Sequence, residues 1–177
     1  SFNKSVNVDL TVQGDLARIL QAINKKIEEK KISFKKAKIK DWWIQINKWR
    51  SKDCLKFKNS DKIIKPQHAL KRLDFLTKKY NPFITTEVGQ HQMWAAQFLT
   101  FNKPKHWMTS GGLGTMGYGL PAAMGVQIAH PNSLVIDVAG EASILMNIQE
   151  MSTIKQFRLP VKIFILNNHY MGMVRPV

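Results

Sequence analysis

Cysteine is nearly absent from this sequence: Cys54 is the only one in 177 residues. A disulfide needs two cysteines and a structural zinc site usually needs several thiolates, so the chain by itself can form neither. Long apolar runs are absent too, because no stretch reaches the roughly 18 apolar residues that a membrane-spanning helix requires. Residues 1–4 also differ from the basic start of a secretory signal. We therefore expect a soluble protein of a reducing compartment, with no membrane partner.

Acidic residues are scarce: 12 Asp and Glu stand against 27 Lys and Arg, which gives a formal net charge of +15. Such an excess suggests an anionic partner, for example nucleic acid or a membrane surface. The charge is uneven, since residues 1–80 hold 21 of the basic and 8 of the acidic residues, a net +13. Residues 81–177 carry only +2, so the two parts need separate interpretation.

Glycine and proline are few, at 10 and 7 residues, while 44% of the residues are hydrophobic. This composition is typical of a globular chain and excludes disorder along its whole length. Residues 5–12 alternate apolar and polar side chains, which predicts a half-buried strand. Asp15 then precedes apolar residues at helical spacing, which predicts a capped helix to about Lys31. A second, tryptophan-containing helix is expected after Asp41 as its cap, followed by an exposed loop over residues 51–63.

The second part alternates helices with short apolar strands. Pro66 suits the first turn of a helix that runs to about Lys79. Strands are predicted over residues 82–86, 134–138 and 161–166. Further helices are predicted to begin near Met93, to follow the glycine-rich residues 110–123, and to cover residues 147–157. This order predicts an α/β fold, in which helices cover both faces of a parallel sheet.

Ligands in such sheets bind at the carboxyl ends of the strands, where residues 87–91, 140–143 and 167–172 are expected. Gly140 lets the backbone approach a ligand closely, the amides after it can form a nest for an anion, and the Ser143 hydroxyl can add a donor. A carboxylate beside an anion is useful only when a divalent cation lies between them. Glu141 and the amide oxygen of Asn168 therefore predict a magnesium site that diphosphate oxygens complete.

Each of these features also has an ordinary structural explanation. Asn167 and Asn168 after a strand can be turn chemistry alone. The glycines of residues 110–119 can serve close packing. His91 can cap a helix or fill space in the interior, and Trp94 is expected in the core. Their joint occurrence, in order and at strand ends, is what favours a cofactor site.

The order and spacing of these motifs resemble a known family. GEAS at residues 140–143, followed by Leu159-Pro160 and Asn167-Asn168, is similar to the thiamine diphosphate signature that starts with Gly-Asp-Gly and ends in Asn-Asn. The match is narrowed by EVGQHQMWAAQ from residue 87, SGGLGTMGYGLPAA from residue 110 and NNHYMGMVR from residue 167. With these motifs the chain resembles the large catalytic subunit of acetolactate synthase (acetohydroxyacid synthase) over nearly its whole length.

The resemblance implies a domain order. Residues 1–15 would end the family's central domain, and residues 16–61 would form a helical connecting segment. Residues 62–177 would form the thiamine diphosphate-binding domain, which stops before it is complete. The implied fold is thus the parallel α/β sheet of that domain, incomplete and preceded by a helical segment.

The resemblance also implies residue roles. Glu141 and Asn168 would hold magnesium by their side chains, and Tyr170 by its backbone carbonyl. Met116 would prop thiamine diphosphate into its bent form. The full set of implied cofactor-binding residues is Val88, Gly89, Gln90, His91, Gly114, Met116, Gly140, Glu141, Ala142, Ser143, Asn168, Gly172 and Met173. No catalytic residue is expected here, because the family's activating glutamate lies in its N-terminal domain and comes from the neighbouring subunit, so the chain alone is expected to be inactive.

The implied reaction condenses two 2-oxo acids, pyruvate with pyruvate or 2-oxobutyrate, with loss of CO2, in the biosynthesis of valine, leucine and isoleucine. FAD would be a largely structural second cofactor, bound mostly by other regions. The implied partners are small-molecule 2-oxo acids, a second catalytic subunit in a homodimer and a regulatory small subunit, without nucleic acid or membrane. The implied location is the cytoplasm, or a plastid or mitochondrion in a eukaryote.

Three positions depart from the family pattern. Glu141 stands where the family has Asp, and Ala139 stands where it often has an acidic residue. Magnesium tolerates poor geometry badly, so the longer Glu141 side chain bears directly on metal affinity. Pro176 follows Arg175 where the family continues with Gln and an aromatic residue, and a proline there would obstruct a following helix.

Three alternatives follow from these observations. The first is another thiamine diphosphate-dependent 2-oxo-acid carboligase or decarboxylase. The second is a degenerate, non-catalytic relative, which the departures at Glu141 and in the tail favour. The third is a nucleic-acid-binding protein that uses residues 30–58, where lysines and aromatic residues interleave.

Overall fold

The computed structural model describes residues 2–32 and 37–175. The chain divides into two compact units, Ser1–Cys54 and Leu55–Val177. Within the described ranges, no helix has both the length and the apolar character that a bilayer crossing requires. The domain assignment made from the sequence stays a prediction, although the division after Cys54 falls inside the predicted connecting segment.

The first unit contains two helices, α1 (Leu16–Glu29) and α2 (Ala37–Arg50). The predicted cap of α1 is confirmed, because the Asp15 side chain accepts the backbone N–H of Arg18 at 3.0 Å. In α2, the rings of Trp42 and Trp49 pack edge to face with centroids 5.4 Å apart. Trp42 and Trp49 therefore contact each other across about two turns of the helix surface.

Two predictions for the first unit are wrong. Residues 5–12 form no strand, and their apolar side chains are exposed, with Leu10 at 82%. A strand needs a neighbour for its backbone hydrogen bonds, and no described residue pairs with this segment. Asp41 is not a cap but lies inside α2, because Ala37 and the lysines that follow it favour helix and start it earlier.

The second unit alternates helices and strands as the sequence predicts. A 3-10 turn follows the first helix at Lys78–Tyr80, and a second one lies at Ile144–Asn147. Residues 55–63 form neither helix nor strand, as expected. The elements in chain order are α3 (Pro66–Thr77), β1 (Phe83–Thr86), α4 (Gln90–Phe98), β2 (Trp107–Thr109), α5 (Gly119–Ala129), β3 (Val135–Gly140), α6 (Glu150–Gln156) and β4 (Lys162–Leu166).

The four strands form one parallel sheet in the order β2-β1-β3-β4, which confirms the predicted fold class. Thr86 at the end of β1 lies opposite Val138, and Gly140 at the end of β3 lies opposite Leu166. The carboxyl ends of neighbouring strands therefore meet at one edge of the sheet. The loops that follow them are brought together there.

Helices cover both faces of the sheet. On one face, Ile84, Ile136 and Val138 form a buried cluster with residues of α3 and α4, among them Leu70 and Phe98. On the other face, Ala139 packs against Leu120 of α5 and Ile144. This two-faced burial explains why the strands carry apolar runs rather than an alternating pattern.

Two local features differ from the prediction. The sequence analysis missed β2, which has only three residues and joins the sheet by pairing Trp107 with Ile84. Helix α4 begins at Gln90 rather than near Met93. His91 therefore lies in the first turn of a helix, which fixes its direction more firmly than a loop would.

Candidate cofactor site

A pocket opens at the carboxyl edge of the sheet, with about 440 Å³ of space including the part open to solvent. Its wall comes from the loops after β1, β3 and β4 and from the glycine-rich loop before α5. All but one of the predicted cofactor-binding residues line it. The exception is Gly114, where an added Cβ would lie 3.9 Å from Val88 Cγ1, just outside the wall. The roles of these residues in binding stay predictions.

His91 fills the space between two glycines of the pocket. A Cβ added at Gly89 would lie 2.7 Å from His91 Cε1, and one at Gly140 would lie 2.6 Å from His91 Nδ1. Gly89 also has a φ of +155°, which side chains disfavour. Burial lowers the pKa of His91 to about 4, more than the neighbouring Glu87 backbone and the Glu141 charge raise it. The imidazole is therefore neutral at pH 7.

In the loop after β3, the Ser143 hydroxyl forms hydrogen bonds with the backbone of Gly140. Ser143 Oγ accepts the N–H of Gly140 at 3.3 Å and donates to the Gly140 carbonyl at 3.2 Å. It also lies 3.5 Å from His91 Nε2. The hydroxyl is thus engaged within its own loop, and donation to a ligand would require one of these bonds to be exchanged.

Two of the three residues predicted to hold a metal, Glu141 and Asn168, meet at the backbone N–H of the third, Tyr170. Glu141 Oε1 accepts the backbone N–H of Tyr170 at 2.9 Å, and Asn168 Oδ1 accepts the same N–H at 3.1 Å. The two side-chain oxygens therefore lie side by side at the pocket rim. Each oxygen keeps a further lone pair for a cation.

The chemistry of this donor set fits magnesium. A carboxylate, an amide oxygen and a backbone carbonyl are hard oxygen ligands, and magnesium commonly takes only a few of these from protein and the rest from phosphate or water. No group of three or more His, Cys, Asp or Glu suited to a metal occurs in the part of the chain that the structure describes. The set thus fits a metal held jointly with a ligand better than an all-protein metal cage.

Gly172 connects the loop after β4 with helix α4. A Cβ added at Gly172 would collide with the side chain of Gln90. A side chain at this position would therefore require the end of the Gln90 side chain to move away from the pocket wall. Four further lining residues were not predicted as site residues from the sequence: Trp94, Leu166, Met171 and Val174.

Glu87 is a buried carboxylate behind the pocket wall, and the sequence analysis missed its role. It has no exposed surface. Its Oε2 accepts the N–H of Gly117 at 2.7 Å, and its Oε1 accepts the N–H of Leu120 at 3.0 Å. Burial raises the pKa of Glu87, while the backbone hydrogen bonds oppose that rise. A charged residue directly after a buried strand was the signal that could have pointed to it.

A second buried carboxyl, Asp137, lies on β3 beside Glu87. Its Oδ1 accepts the hydroxyl of Thr85 at 3.0 Å, and a Cβ at Gly119 would collide with this oxygen. Its Oδ2 is buried and has no partner among the described residues. Burial, and then the charge of Glu87, raise the pKa of Asp137 to about 7. Two carboxyl groups thus share the interior beneath the glycine-rich loop.

Two sequence expectations lie outside the described residues. Pro176, predicted to obstruct a following helix, is one of them. Residues 33–36 of the basic segment proposed for nucleic-acid binding are the other. The described part of that segment contains Arg50, whose guanidinium lies 5.7 Å from the centre of the Trp43 ring.

Comparison with known proteins gives close relatives along nearly the whole chain. The acetolactate synthase isozyme 3 large subunit of Escherichia coli (strain K12) is 45% identical over 175 residues, which are 99% of this chain and 30% of the relative. The acetolactate synthase large subunit of Buchnera aphidicola subsp. Schlechtendalia chinensis is 46% identical, with the same coverage. The chloroplastic acetolactate synthase of Arabidopsis thaliana is 45% identical over 98% of this chain and 26% of the relative.

The chain thus spans about 30% of the length of these bacterial relatives. A family profile described as thiamine pyrophosphate enzyme, C-terminal TPP binding domain, matches residues 87–176. That range contains the loop that follows β1, the glycine-rich loop and every residue of the pocket described above. The sequence resemblance is confirmed: this chain belongs to the thiamine pyrophosphate enzyme family, and its residues 87–176 form the C-terminal TPP-binding domain.

Proposed function

We propose that this chain supplies the diphosphate-binding and metal-binding half of the active site of an acetolactate synthase. The observation that carries the proposal is the meeting of Glu141 and Asn168 at the N–H of Tyr170, on the rim of a glycine-lined pocket. The identity to acetolactate synthase large subunits over 99% of the chain supports the choice among thiamine diphosphate enzymes. The chain spans about 30% of the length of these relatives, so it matches one part of the protein that carries out the complete reaction in them.

The pocket residues divide into a metal group and a diphosphate group. Glu141 and Asn168 would hold magnesium by side-chain oxygens, and Tyr170 by its carbonyl, so that the cation neutralises the diphosphate. The backbone after Gly140 offers N–H groups to the phosphate oxygens. His91 is neutral at pH 7 because its pKa is about 4, so it can donate one N–H without adding charge.

Met116 would act on the shape of the cofactor. Its side chain is half-buried and projects from the glycine-rich loop into the pocket lining. Bound thiamine diphosphate would supply a nucleophilic carbon for the carbonyl of a 2-oxo acid and a thiazolium ring that accepts the electron pair released with CO2. The residues of this chain bind and bend the cofactor, and Trp94 and Leu166 exclude water from part of the pocket wall.

The wider proposal covers substrates and assembly. The native protein condenses pyruvate with pyruvate or 2-oxobutyrate, forms a homodimer, and works with a regulatory small subunit and FAD. It acts in the cytoplasm, or in a plastid or mitochondrion of a eukaryote. These statements rest on the similarity to the relatives named above, one of which is described as chloroplastic.

Calorimetric titration of thiamine diphosphate into the native protein tests the core of the proposal. Binding heat is expected with magnesium, and it should vanish when EDTA removes the cation. Absence of heat with magnesium present would refute a cofactor site and favour the degenerate relative. Product analysis then separates the carboligases: acetolactate from pyruvate, and acetohydroxybutyrate when 2-oxobutyrate is added, are expected, whereas acetaldehyde alone would indicate a decarboxylase.

A further inference from the structure

The backbone of Gly117 is held at its N–H and at its carbonyl by buried or half-buried polar groups. Glu87 Oε2 accepts its N–H at 2.7 Å, and Asn147 Nδ2 donates to its carbonyl oxygen at 2.7 Å. These are short hydrogen bonds, and the one to Glu87 lies where no water competes with it. The backbone next to Met116 is therefore fixed by side chains from two other segments of the chain.

Only glycine can occupy this clamped position. Gly117 has a φ of +86°, and an added Cβ would lie 2.8 Å from both Asn147 Nδ2 and Met146 Cβ. A side chain would thus be disfavoured by the backbone conformation and would displace Asn147 as well. A glycine thus lies at the point of this loop that Glu87 and Asn147 hold.

Glu87 also connects this loop to the rest of the pocket. Its own N–H donates to the Val138 carbonyl at 3.0 Å, so its backbone is anchored to β3. The next residue, Val88, begins the pocket wall, and Leu120, the second amide that the carboxylate holds, lies in the first turn of α5. That amide is one of the N–H groups that a helix start leaves without a partner. The Glu87 side chain thus connects α5 with the Met116 loop, while its backbone N–H connects the end of β1 with β3.

We propose that Glu87 is a positioning residue of the cofactor site, which acts with Asn147 through the backbone of Gly117 to hold Met116 against the bound cofactor. This inference rests on the proposed function, because Met116 matters only if thiamine diphosphate occupies the pocket. Glu87 itself lies behind the wall and is not in the pocket lining. Loss of Glu87 should therefore alter how the cofactor is bent more than how tightly its diphosphate is bound.

The test compares Glu87→Gln and Asn147→Ala with the unchanged native protein. Glutamine keeps the shape of Glu87 but has one acceptor oxygen, so one of the two amides would face an N–H group. Hydrogen exchange of the Gly117 and Leu120 amides reports on the clamp without any cofactor. Deuterium exchange at the reactive thiazolium carbon of bound thiamine diphosphate, at saturating cofactor and magnesium, reports on the bend.

Glu87→Gln should lose protection at Gly117 or at Leu120, whichever amide faces the new NH2 group, whereas Asn147→Ala should lose it at Gly117 alone. The rate of deuterium exchange at the thiazolium carbon should fall by about 10- to 100-fold, because small misplacements of positioning groups have effects of that size. The dissociation constant of the cofactor should stay within about threefold of the unchanged protein. Asp74→Asn is the matched control, since Asp74 accepts the N–H of Thr100 away from the pocket. This control should change neither the protection of the Gly117 amide nor the carbon exchange rate and dissociation constant of the cofactor.

Two results would overturn the proposal. Unchanged amide protection in Glu87→Gln would show that the carboxylate does not hold the loop. Lost amide protection with a normal exchange rate at the thiazolium carbon would show that the hydrogen bonds to Gly117 have only a structural role. If Glu87→Gln does not fold, Asn147→Ala decides by the same two readouts, because it removes the other side-chain hydrogen bond to the backbone of Gly117. Failure of the unchanged protein to bind cofactor would reject the proposed function and the positioning role together, while amide exchange would still report on the clamp itself.

Discussion

Glu141 and Tyr170 are joined by a hydrogen bond of 2.9 Å from the Tyr170 N–H to Glu141 Oε1, across the ends of β3 and β4. The longer side chain that distinguishes this chain from the family pattern is thus long enough to span the gap between the two loops. Asn168 Oδ1 reaches the same N–H. The departure from Asp does not separate the predicted metal ligands but gathers them at one amide.

Replacing Glu141 by Gln is expected to weaken cofactor binding in the presence of magnesium. Glutamine keeps an oxygen for the Tyr170 N–H but removes the negative charge that a hard cation requires. The loss should be about 10- to 100-fold, as for a charge-assisted contact. Calorimetric titration of thiamine diphosphate into the native protein and the variant, each with and without magnesium, measures it.

Glu150→Gln is the matched control, because Glu150 lies on α6 and accepts the hydroxyl of Thr153 rather than lining the pocket. Its cofactor affinity should equal that of the unchanged protein. If Glu141→Gln binds as tightly as this control with magnesium present, Glu141 is not a metal ligand.

Gly140→Ala is expected to destabilise the folded protein and disturb the pocket. The added Cβ would meet the His91 ring at 2.6 Å, and that ring is itself confined by Gly89. Such overpacking costs about 1–3 kcal/mol of unfolding free energy. Urea unfolding followed by tryptophan fluorescence measures the change.

The cause of that cost can be isolated by a double-mutant cycle with His91→Ala. Removal of the ring should recover part of the loss, so that the two changes are not additive. Gly125→Ala provides the control, because among the described residues no heavy atom lies within 4 Å of its added Cβ. That change should stabilise the helix by about 0.5–1 kcal/mol. Additive effects of Gly140→Ala and His91→Ala would contradict the predicted collision.

The parallel sheet and its ligand edge were predictable because each depends on short-range patterns. Apolar strands of four to six residues, separated by helices, determine the layers, and the loop residues that follow them determine the pocket. The strand predicted at residues 5–12 was wrong because alternation describes a strand only where a neighbour pairs with it. The three residues of β2 are too few to carry a pattern of their own.

The buried carboxyl groups could not be assigned from the sequence. Thr85, Asp137 and Glu87 are brought together by the pairing of β1 with β3, and Asp137 lies 52 positions from its hydrogen-bond donor. A carboxylate in a strand looks like a solvent-facing residue until its neighbours are known. The sequence shows that positions 117 and 119 are glycines. It does not show why, because the atoms that leave no room for a side chain there come from distant parts of the chain.

Asp137 is expected to make the protein less stable as the pH rises. Its pKa is about 7 in the folded chain, against about 3.9 for an unfolded aspartate. Between these values the folded state keeps a proton that the unfolded state has released, so the free energy of unfolding falls with increasing pH. From pH 5 to pH 8 the contribution is about 3 kcal/mol as an upper value. Asp137→Asn removes it, and urea unfolding at both pH values measures the difference.

The comparison between Asp137→Asn and the unchanged protein reports on Asp137 together with its charge coupling to Glu87. His91 has a lowered pKa, about 4, and so contributes a slope of the opposite sign below about pH 6.5, but it is present in both proteins and cancels in their difference. Thr85→Val gives an independent check, because loss of its hydrogen bond to Oδ1 should raise the pKa of Asp137 further and extend the decline to higher pH. Parallel pH profiles for Asp137→Asn and the unchanged protein would show that Asp137 keeps the same charge in the folded and unfolded states.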